Sequence, residues 1–185
     1  GDPGAMAVWS TLKNSKIPRM DEHPIVQHIP RLRRYARALA GDRYAADDLV
    51  QDTLERAWNK YHLWRQGSDL RAWLFAIMHN VFVNQMRSRR LKIELPMEDP
   101  PEVAVRGTQL DGIELDDLQR ALSQLSAEHR EVLLLVAVEQ MKYEEVSRTL
   151  DIPVGTVMSR LSRARERLRQ HIEGGLPVST LKVVK

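Results

Sequence analysis

The segment from Leu70 to Phe82 carries apolar residues at helical spacing, and this pattern constrains the fold more than any other feature of the sequence. Seven apolar side chains recur every three or four positions, which places them on one face of an α-helix. They are Leu70, Trp73, Leu74, Ile77, Met78, Val81 and Phe82. Residues 45–61 and 115–125 show the same period, and no segment alternates with period two for long enough to predict a strand. The sequence therefore predicts an all-α protein.

Composition excludes several classes of protein. With 185 residues, the chain is long enough for one medium domain or two small ones at roughly 100–200 residues each. It contains no cysteine, which excludes disulfides, Cys-ligated zinc and a thiol nucleophile. The longest apolar run, residues 132–138, is far shorter than the roughly 20 residues of a membrane helix, and no secretory signal is visible. We therefore expect a soluble, cytoplasmic protein without membrane insertion.

A proline-containing acidic stretch separates two predicted helical blocks. The first block covers residues 24–91 and the second covers residues 113–173. Residues 92–112 contain Pro96, Pro100, Pro101 and Gly107, show no period and predict a flexible linker between two small domains. Residues 1–23 are interpreted as a cloning scar ahead of Met6 followed by an N-terminal extension, and residues 174–185 as a C-terminal tail.

Charge is distributed unevenly, although the formal net charge is only +3. Acidic residues dominate from Glu94 to Asp117, whereas basic residues cluster at 87–92 and at 160–169. Two basic helix ends flanking an acidic stretch favour two modules that face polyanions. The alternative is two solvated helix faces.

Residues 143–172 have the pattern of a helix-turn-helix. A short helix at 143–150 precedes a break at 151–153 and a long helix at 154–172, with Pro153 expected at the start of the second helix. The second helix is predicted to bury Val157, Leu161, Ala164, Leu168 and Ile172. Its predicted exposed side chains are hydroxyls and arginines, which suit base edges and phosphates: Thr156, Ser159, Arg160, Ser162, Arg163 and Arg167. The alternative is a structural helix pair with a basic solvated face.

Trp64 lies in a predicted polar loop, unlike Trp58, Trp73 and Phe82, which fall on apolar faces and are predicted to be core residues. Its neighbours Arg65, Gln66 and Ser68 can form hydrogen bonds. An exposed aromatic ring with such neighbours is what stacking an unpaired base requires. The alternative is that Trp64 folds back as a lid on the core.

An acidic helix face follows the first helix of the chain. It consists of Asp47, Asp48, Gln51, Asp52 and Glu55. His62 and His79 lie elsewhere and neither has metal-ligand spacing, so the sequence predicts no metal site, no cofactor and no catalytic residues. A solvated face or a docking patch for a basic partner is favoured over a catalytic or metal site.

Four runs of sequence resemble the extracytoplasmic-function (ECF) group of bacterial RNA polymerase sigma factors. ADDLVQDTLERAW at 46–58 and LRAWLFAIMHN at 70–80 resemble the second sigma domain. YEEV at 143–146 and PVGTVMSRLSRAR at 153–165 resemble the fourth sigma domain. The resemblance covers about residues 24–173 with the motifs in the family's order, and only a linker separates the two blocks, as in the ECF group.

This resemblance implies a role for each segment. The face of Asp47 to Glu55 would dock on the β′ clamp helices of core RNA polymerase, whose β subunit is a further expected contact. The loop around Trp64 would capture a flipped base of the −10 element, with Asn80 and Arg87 on the following helix against the same DNA. The helix from Val154 would read the −35 element, where Met158 replaces an Arg or Lys that is frequent in the family.

The sequence is thus interpreted as a promoter-specificity factor that binds core RNA polymerase and promoter DNA, aids promoter melting and is not itself an enzyme. The resemblance also implies an anti-sigma factor as a partner and a role in stress responses. The alternative is a sigma-mimic adaptor that sequesters an anti-sigma factor without binding DNA. A simple helix-turn-helix repressor would not explain the first block, and a nuclease would need a metal or acid–base cluster that the sequence lacks.

Overall fold

The computed structural model describes residues 20–94 and 112–174, and within these ranges the chain is helical and contains no strand. The described part has seven α-helices, numbered here in chain order: α1 (Ile29–Ala40), α2 (Arg43–Lys60), α3 (Leu70–Glu94), α4 (Gly112–Ser123), α5 (Ala127–Ala137), α6 (Tyr143–Leu150) and α7 (Val154–Gly174). Short 3-10 turns span Met20–Glu22, Pro24–His28 and Tyr61–Leu63. The all-α prediction is confirmed.

The chain divides into two compact units, one ending at Pro30 and one beginning at Arg31. In the described part of the first unit, the Nδ1 atom of His23 accepts a hydrogen bond from the Ile25 amide at 3.3 Å, which caps the turn Pro24–His28. All the helices from α2 onward belong to the second unit.

Local sequence explains where several helices begin and end. Gly41 has φ +73°, a left-handed conformation that suits glycine, and it ends α1. Asp42 then caps α2, its carboxylate accepting from the Ala45 amide at 3.1 Å. Asp69 accepts from the Ala72 amide at 3.2 Å at the start of α3. Ser126 accepts from the His129 amide at 3.3 Å, which confirms the predicted N-cap of α5.

Each helical block has its own apolar core. In the first block, the Tyr35 and Phe75 rings meet edge to face with centroids 4.9 Å apart. The fully buried side chains around them include Leu32, Leu39, Leu49, Leu74, Met78 and Val81. In the second block, the fully buried side chains include Val132, Leu135, Val146 and Val157. Helices α5, α6 and α7 supply this second core.

The two blocks contact each other within the second unit, because α3 packs against α6. Polar bonds accompany this packing. The Nη1 atom of Arg71 donates to the Glu139 carbonyl oxygen at 2.7 Å, and the Nε atom of Arg31 lies 3.4 Å from the Glu139 carboxylate. Arg130 of the second block also joins the two blocks, because its guanidinium donates a hydrogen bond to the Leu39 carbonyl oxygen.

Four details of the sequence prediction are wrong. Helix α3 continues to Glu94, so residues 92–94 are helical, whereas the rest of the predicted linker, 95–111, lies outside the described residues. Ile172 is 49% exposed, because α7 has 21 residues and outlasts α5 and α6, which have 11 and 8. Trp58 is 46% exposed in the last turn of α2, where the buried face ends at Ala57. Leu118, which belongs to the apolar stripe predicted over residues 115–125, is also exposed, one turn before the buried Leu122.

No helix in the described ranges combines the length and the apolar character needed to cross a membrane.

Candidate nucleic-acid interface

Helices α6 and α7 form the predicted helix-turn-helix. Asp151 ends α6 with φ 53° in the left-handed region, and the Ile152 amide donates to the Ser147 carbonyl oxygen at 3.1 Å. Pro153 lies one residue before α7, and its carbonyl oxygen accepts from the Thr156 and Val157 amides at 3.0 and 3.1 Å. Pro153 thus occupies the capping position, and the helix begins at Val154 as the sequence predicted.

Four of the six predicted DNA-binding side chains of α7 are exposed to solvent on the face that points away from the core. These are Ser159, Ser162, Arg163 and Arg167. Thr156 and Arg160 are half-buried instead. An Nη atom of Arg160 lies 3.5 Å from the Glu128 carboxylate at the start of α5, so this guanidinium is partly engaged within the protein. The Ser159 hydroxyl donates to the Thr156 carbonyl oxygen at 3.1 Å.

The arginines of α7 differ in their electrostatic surroundings. Arg169 donates to both Glu166 carboxylate oxygens, at 2.8 and 3.0 Å, and this bond lowers the pKa of Glu166. Burial, followed by the positive charges of Arg167, Arg163 and Arg160, lowers the pKa of His129. Three guanidinium groups therefore create a positive potential beside the start of α5, and the same potential attracts phosphate.

The predicted acidic face is present on α2. Asp47, Asp48, Gln51 and Glu55 are exposed, and Asp52 is half-buried. Gln85 of α3 donates from Nε2 to Asp48 at 3.2 Å and to Asp52 at 2.9 Å, and the sequence analysis did not single it out. This amide links the two carboxylates, so the side chains of Asp48 and Asp52 are held in a fixed arrangement on this face.

Trp64 is half-buried, which differs from the exposed loop aromatic that the sequence suggested. Its ring stacks on Tyr61 with centroids 5.6 Å apart and an interplanar angle of 27°. Its Nε1 atom is buried without a hydrogen-bond partner. The difference arises because the 3-10 turn Tyr61–Leu63 brings Trp64 back over its first residue, Tyr61, whose ring stacks on the indole.

The other predicted −10 residues are open to solvent. Arg65, Gln66 and Ser68 are exposed, and Gly67 turns the chain between them with φ +90°. Asn80 and Arg87 are exposed on α3 and lie seven positions apart, about 10 Å along one face. The side chains of these loop and helix residues are therefore accessible from solvent.

Glu131 and Glu139 are the charged groups that the sequence analysis missed. The Glu131 carboxylate lies 2.6 Å from Nδ1 of His79. Burial raises the pKa of Glu139, although Arg31 and Arg71 act in the opposite direction, and burial together with both glutamates raises the pKa of Tyr35. The available signal was a glutamate at each end of the apolar run 132–138, since a buried carboxylate requires a partner.

Within residues 20–94 and 112–174, no three His, Asp or Glu side chains are grouped so that they could hold a metal ion.

Comparison with known families matches each block separately. Residues 25–79 match the model described as the sigma2 domain of PhyR, and residues 115–168 match the model of sigma-70 region 4. The ECF RNA polymerase sigma factor EcfG of Rhodopseudomonas palustris is 36% identical over 145 residues, which cover 78% of this chain and 80% of EcfG. This chain belongs to the ECF family of RNA polymerase sigma factors.

Further comparisons agree with this sigma factor assignment. The ECF sigma factor SigE of Mycolicibacterium smegmatis is 33% identical over 182 residues, which cover 93% of this chain but only 64% of SigE. The sigma factor RpoE of Bartonella quintana, solved in complex with the anti-sigma factor NepR, has a TM-score of 0.70 and 36% identity. The match covers 82% of this sigma factor and 96% of the RpoE chain. The family resemblance seen in the sequence is thereby confirmed.

Proposed function

We propose that this sigma factor binds core RNA polymerase and directs it to promoters by reading a −10 element with its first block and a −35 element with its second. The observation that carries the proposal is the open face of α7, on which Arg163 and Arg167 form no ion pair with any other described residue. A second helix of a helix-turn-helix with such a face fits the major groove.

The α2 face is the proposed docking surface for the polymerase. Asp48, Gln51 and Glu55 lie at positions i, i+3 and i+7 and are exposed together. Gln85 holds Asp48 in place, so little side-chain freedom is lost when a basic partner binds. The proposed partner surface is the β′ clamp helices, with the β subunit as a further contact.

The loop around Trp64 and helix α3 form the proposed −10 surface. The Tyr61–Trp64 stack presents aromatic rings beside the exposed Arg65 and Gln66, a combination suited to an unstacked base. Asn80 and Arg87 continue this surface along α3. The proposed role is capture of non-template-strand bases, which aids melting, while the polymerase supplies the catalysis and this chain supplies none.

The proposed division of the chain keeps the two parts that the sequence predicted. The sigma-2-like part of residues 24–91 is extended by α3 to Glu94, and the sigma-4-like part of residues 113–173 begins with α4 at Gly112. The proposed acidic linker of residues 92–112 is shortened to 95–111, and residues 1–23 and 174–185 are the extensions. An anti-sigma factor is a further proposed partner, supported by the solved complex of RpoE with NepR. The cytoplasm is the proposed location, because the polymerase and the promoter are there.

A sigma-mimic adaptor is the second candidate function. It is favoured by the match of residues 25–79 to the sigma2 domain of PhyR. A mimic has no use for DNA-binding side chains, whereas this chain keeps exposed arginines on α7. The −35 surface therefore supports the sigma factor over the mimic.

Selection of genomic fragments separates the two. Fragments bound by core polymerase with the protein are sequenced and compared with fragments bound by core polymerase alone. The proposal predicts enrichment of two short elements at a fixed spacing. A mimic would enrich nothing beyond core polymerase.

A further inference from the structure

Met158 is an exposed apolar side chain on the proposed DNA-reading face of α7. It is 52% exposed, whereas Val157 and Leu161 on the neighbouring face are buried in the core. Met158 is the fifth residue of the helix, within the N-terminal part that contacts base edges in helix-turn-helix proteins. Its side chain is therefore not needed for packing and stands where a base edge would be read.

The surroundings of Met158 leave it accessible. One turn earlier lies Gly155, where a Cβ atom would meet nothing within 4 Å, and one turn later lies the exposed Ser162. Small residues on both sides give the unbranched thioether room to change rotamer. The neighbouring Ser159 donates its hydroxyl proton to the Thr156 carbonyl oxygen, so this proton is already used within the helix.

The thioether of Met158 can make favourable contacts with only some of the groups on the base edges of the major groove. Major-groove edges present hydrogen-bond donors and acceptors, and their one apolar group is the C5-methyl of thymine. A thioether has no donor and is a weak acceptor, so it cannot replace the bidentate contacts of an arginine. It can bury the thymine methyl against its own methylene and methyl groups.

We infer that Met158 is a specificity-determining residue that contacts the C5-methyl of a thymine in the −35 element. This inference rests on the proposed docking of α7 in the major groove. Loss of one buried methyl contact corresponds to about a fourfold weaker affinity.

Replacing thymine by uracil tests the contact, because uracil lacks only the methyl group. Core polymerase with the full-length protein is bound to a promoter from the genomic selection. Each −35 thymine, on either strand, is replaced singly by uracil. We expect about a fourfold loss of affinity at one position for the wild type. We expect no difference between thymine and uracil at that position for Met158→Ala.

Two variants make the result specific. Ile172→Ala removes an apolar side chain of similar exposure from the end of the same helix and should leave the thymine preference unchanged. Met158→Leu keeps an apolar group and should retain most of the preference. Equal binding of thymine and uracil by the wild type, or a preference that survives in Met158→Ala, overturns the inference.

Arg163→Ala distinguishes failure of this inference from failure of the proposed function. If Arg163→Ala weakens promoter binding while uracil has no effect, α7 docks as proposed and the Met158 contact is wrong. If neither change has an effect, the docking of α7 itself is wrong, and the inference falls with it.

Discussion

His79 and Glu131 lie on different helical blocks, and Nδ1 of the imidazole is 2.6 Å from Oε2 of the carboxylate. Glu131 is only 4% exposed and is followed in α5 by the buried Val132, Leu133 and Leu134. The carboxylate has lost its hydration, and a side chain from α3 replaces it. Packing of the two blocks thus satisfies a polar group that neither block satisfies by itself.

Removing the imidazole should destabilise the protein. His79→Ala leaves a buried carboxylate with one partner fewer, and we expect a loss of about 1–3 kcal/mol in the free energy of unfolding. Urea denaturation measures it. His171→Ala is the matched control, because His171 is exposed on α7 and its loss should cost about 0.5 kcal/mol or less. Equal stabilities of the two variants would show that the His79–Glu131 contact contributes nothing.

Charge reversal on the α2 face should weaken polymerase binding. Asp48→Lys combined with Glu55→Lys reverses the charge of the acceptors proposed to meet a basic partner, while both positions are exposed and the core is untouched. We expect lower affinity for core polymerase, measured by fluorescence anisotropy, and an unchanged circular dichroism spectrum. The control, Asp21→Lys with Glu22→Lys, makes the same charge change at exposed residues of the first unit. If both double variants bind core polymerase like the wild type, the α2 face is not the docking surface.

Arg163 and Arg167 should differ in what they contact. Arg163 is in line with Ser159 on the open face, so Arg163→Ala should cost roughly 1–3 kcal/mol and relax specificity at one −35 position. Arg167 lies a turn further on and is expected at phosphate. Its replacement by alanine should weaken binding on all sequences and reduce the salt dependence. A promoter library read at two salt concentrations measures both effects, and identical profiles for the two variants would refute this division of roles.

Trp64 should matter for promoter opening more than for stability. Its stack on Tyr61 contributes about 0.5–1.5 kcal/mol beyond the burial of the ring, so Trp64→Ala should lower stability by at least that amount. Base stacking is typically worth about 1–3 kcal/mol, so open-complex formation should slow clearly more than the stability loss alone explains. Trp64→Phe keeps a π-face and should open promoters nearly as well as the wild type. Permanganate reactivity of the −10 thymines measures promoter opening. Normal opening by Trp64→Ala would contradict the base-stacking role and favour the alternative that Trp64 only covers the core.

Local features of the fold were predictable from the sequence, whereas contacts between the blocks were not. Ser126 and the break after Leu150 mark helix ends because capping uses neighbouring residues. The partners of Glu131 and Glu139 come from helices far away along the chain, so periodicity carries no information about them. The exposure of Trp64 was misjudged for a different reason, because the stack on the nearby Tyr61 depends on the 3-10 turn between them, which periodicity does not reveal.

Run-off transcription tests the central claim most directly. Core RNA polymerase, the full-length protein and a promoter fragment from the genomic selection are combined, and the RNA product is measured. The account predicts a transcript from a defined start only when both proteins are present, with less transcript for the Asp48→Lys, Glu55→Lys variant and for Arg163→Ala. No transcript above that of core polymerase alone would contradict it and favour a sigma mimic.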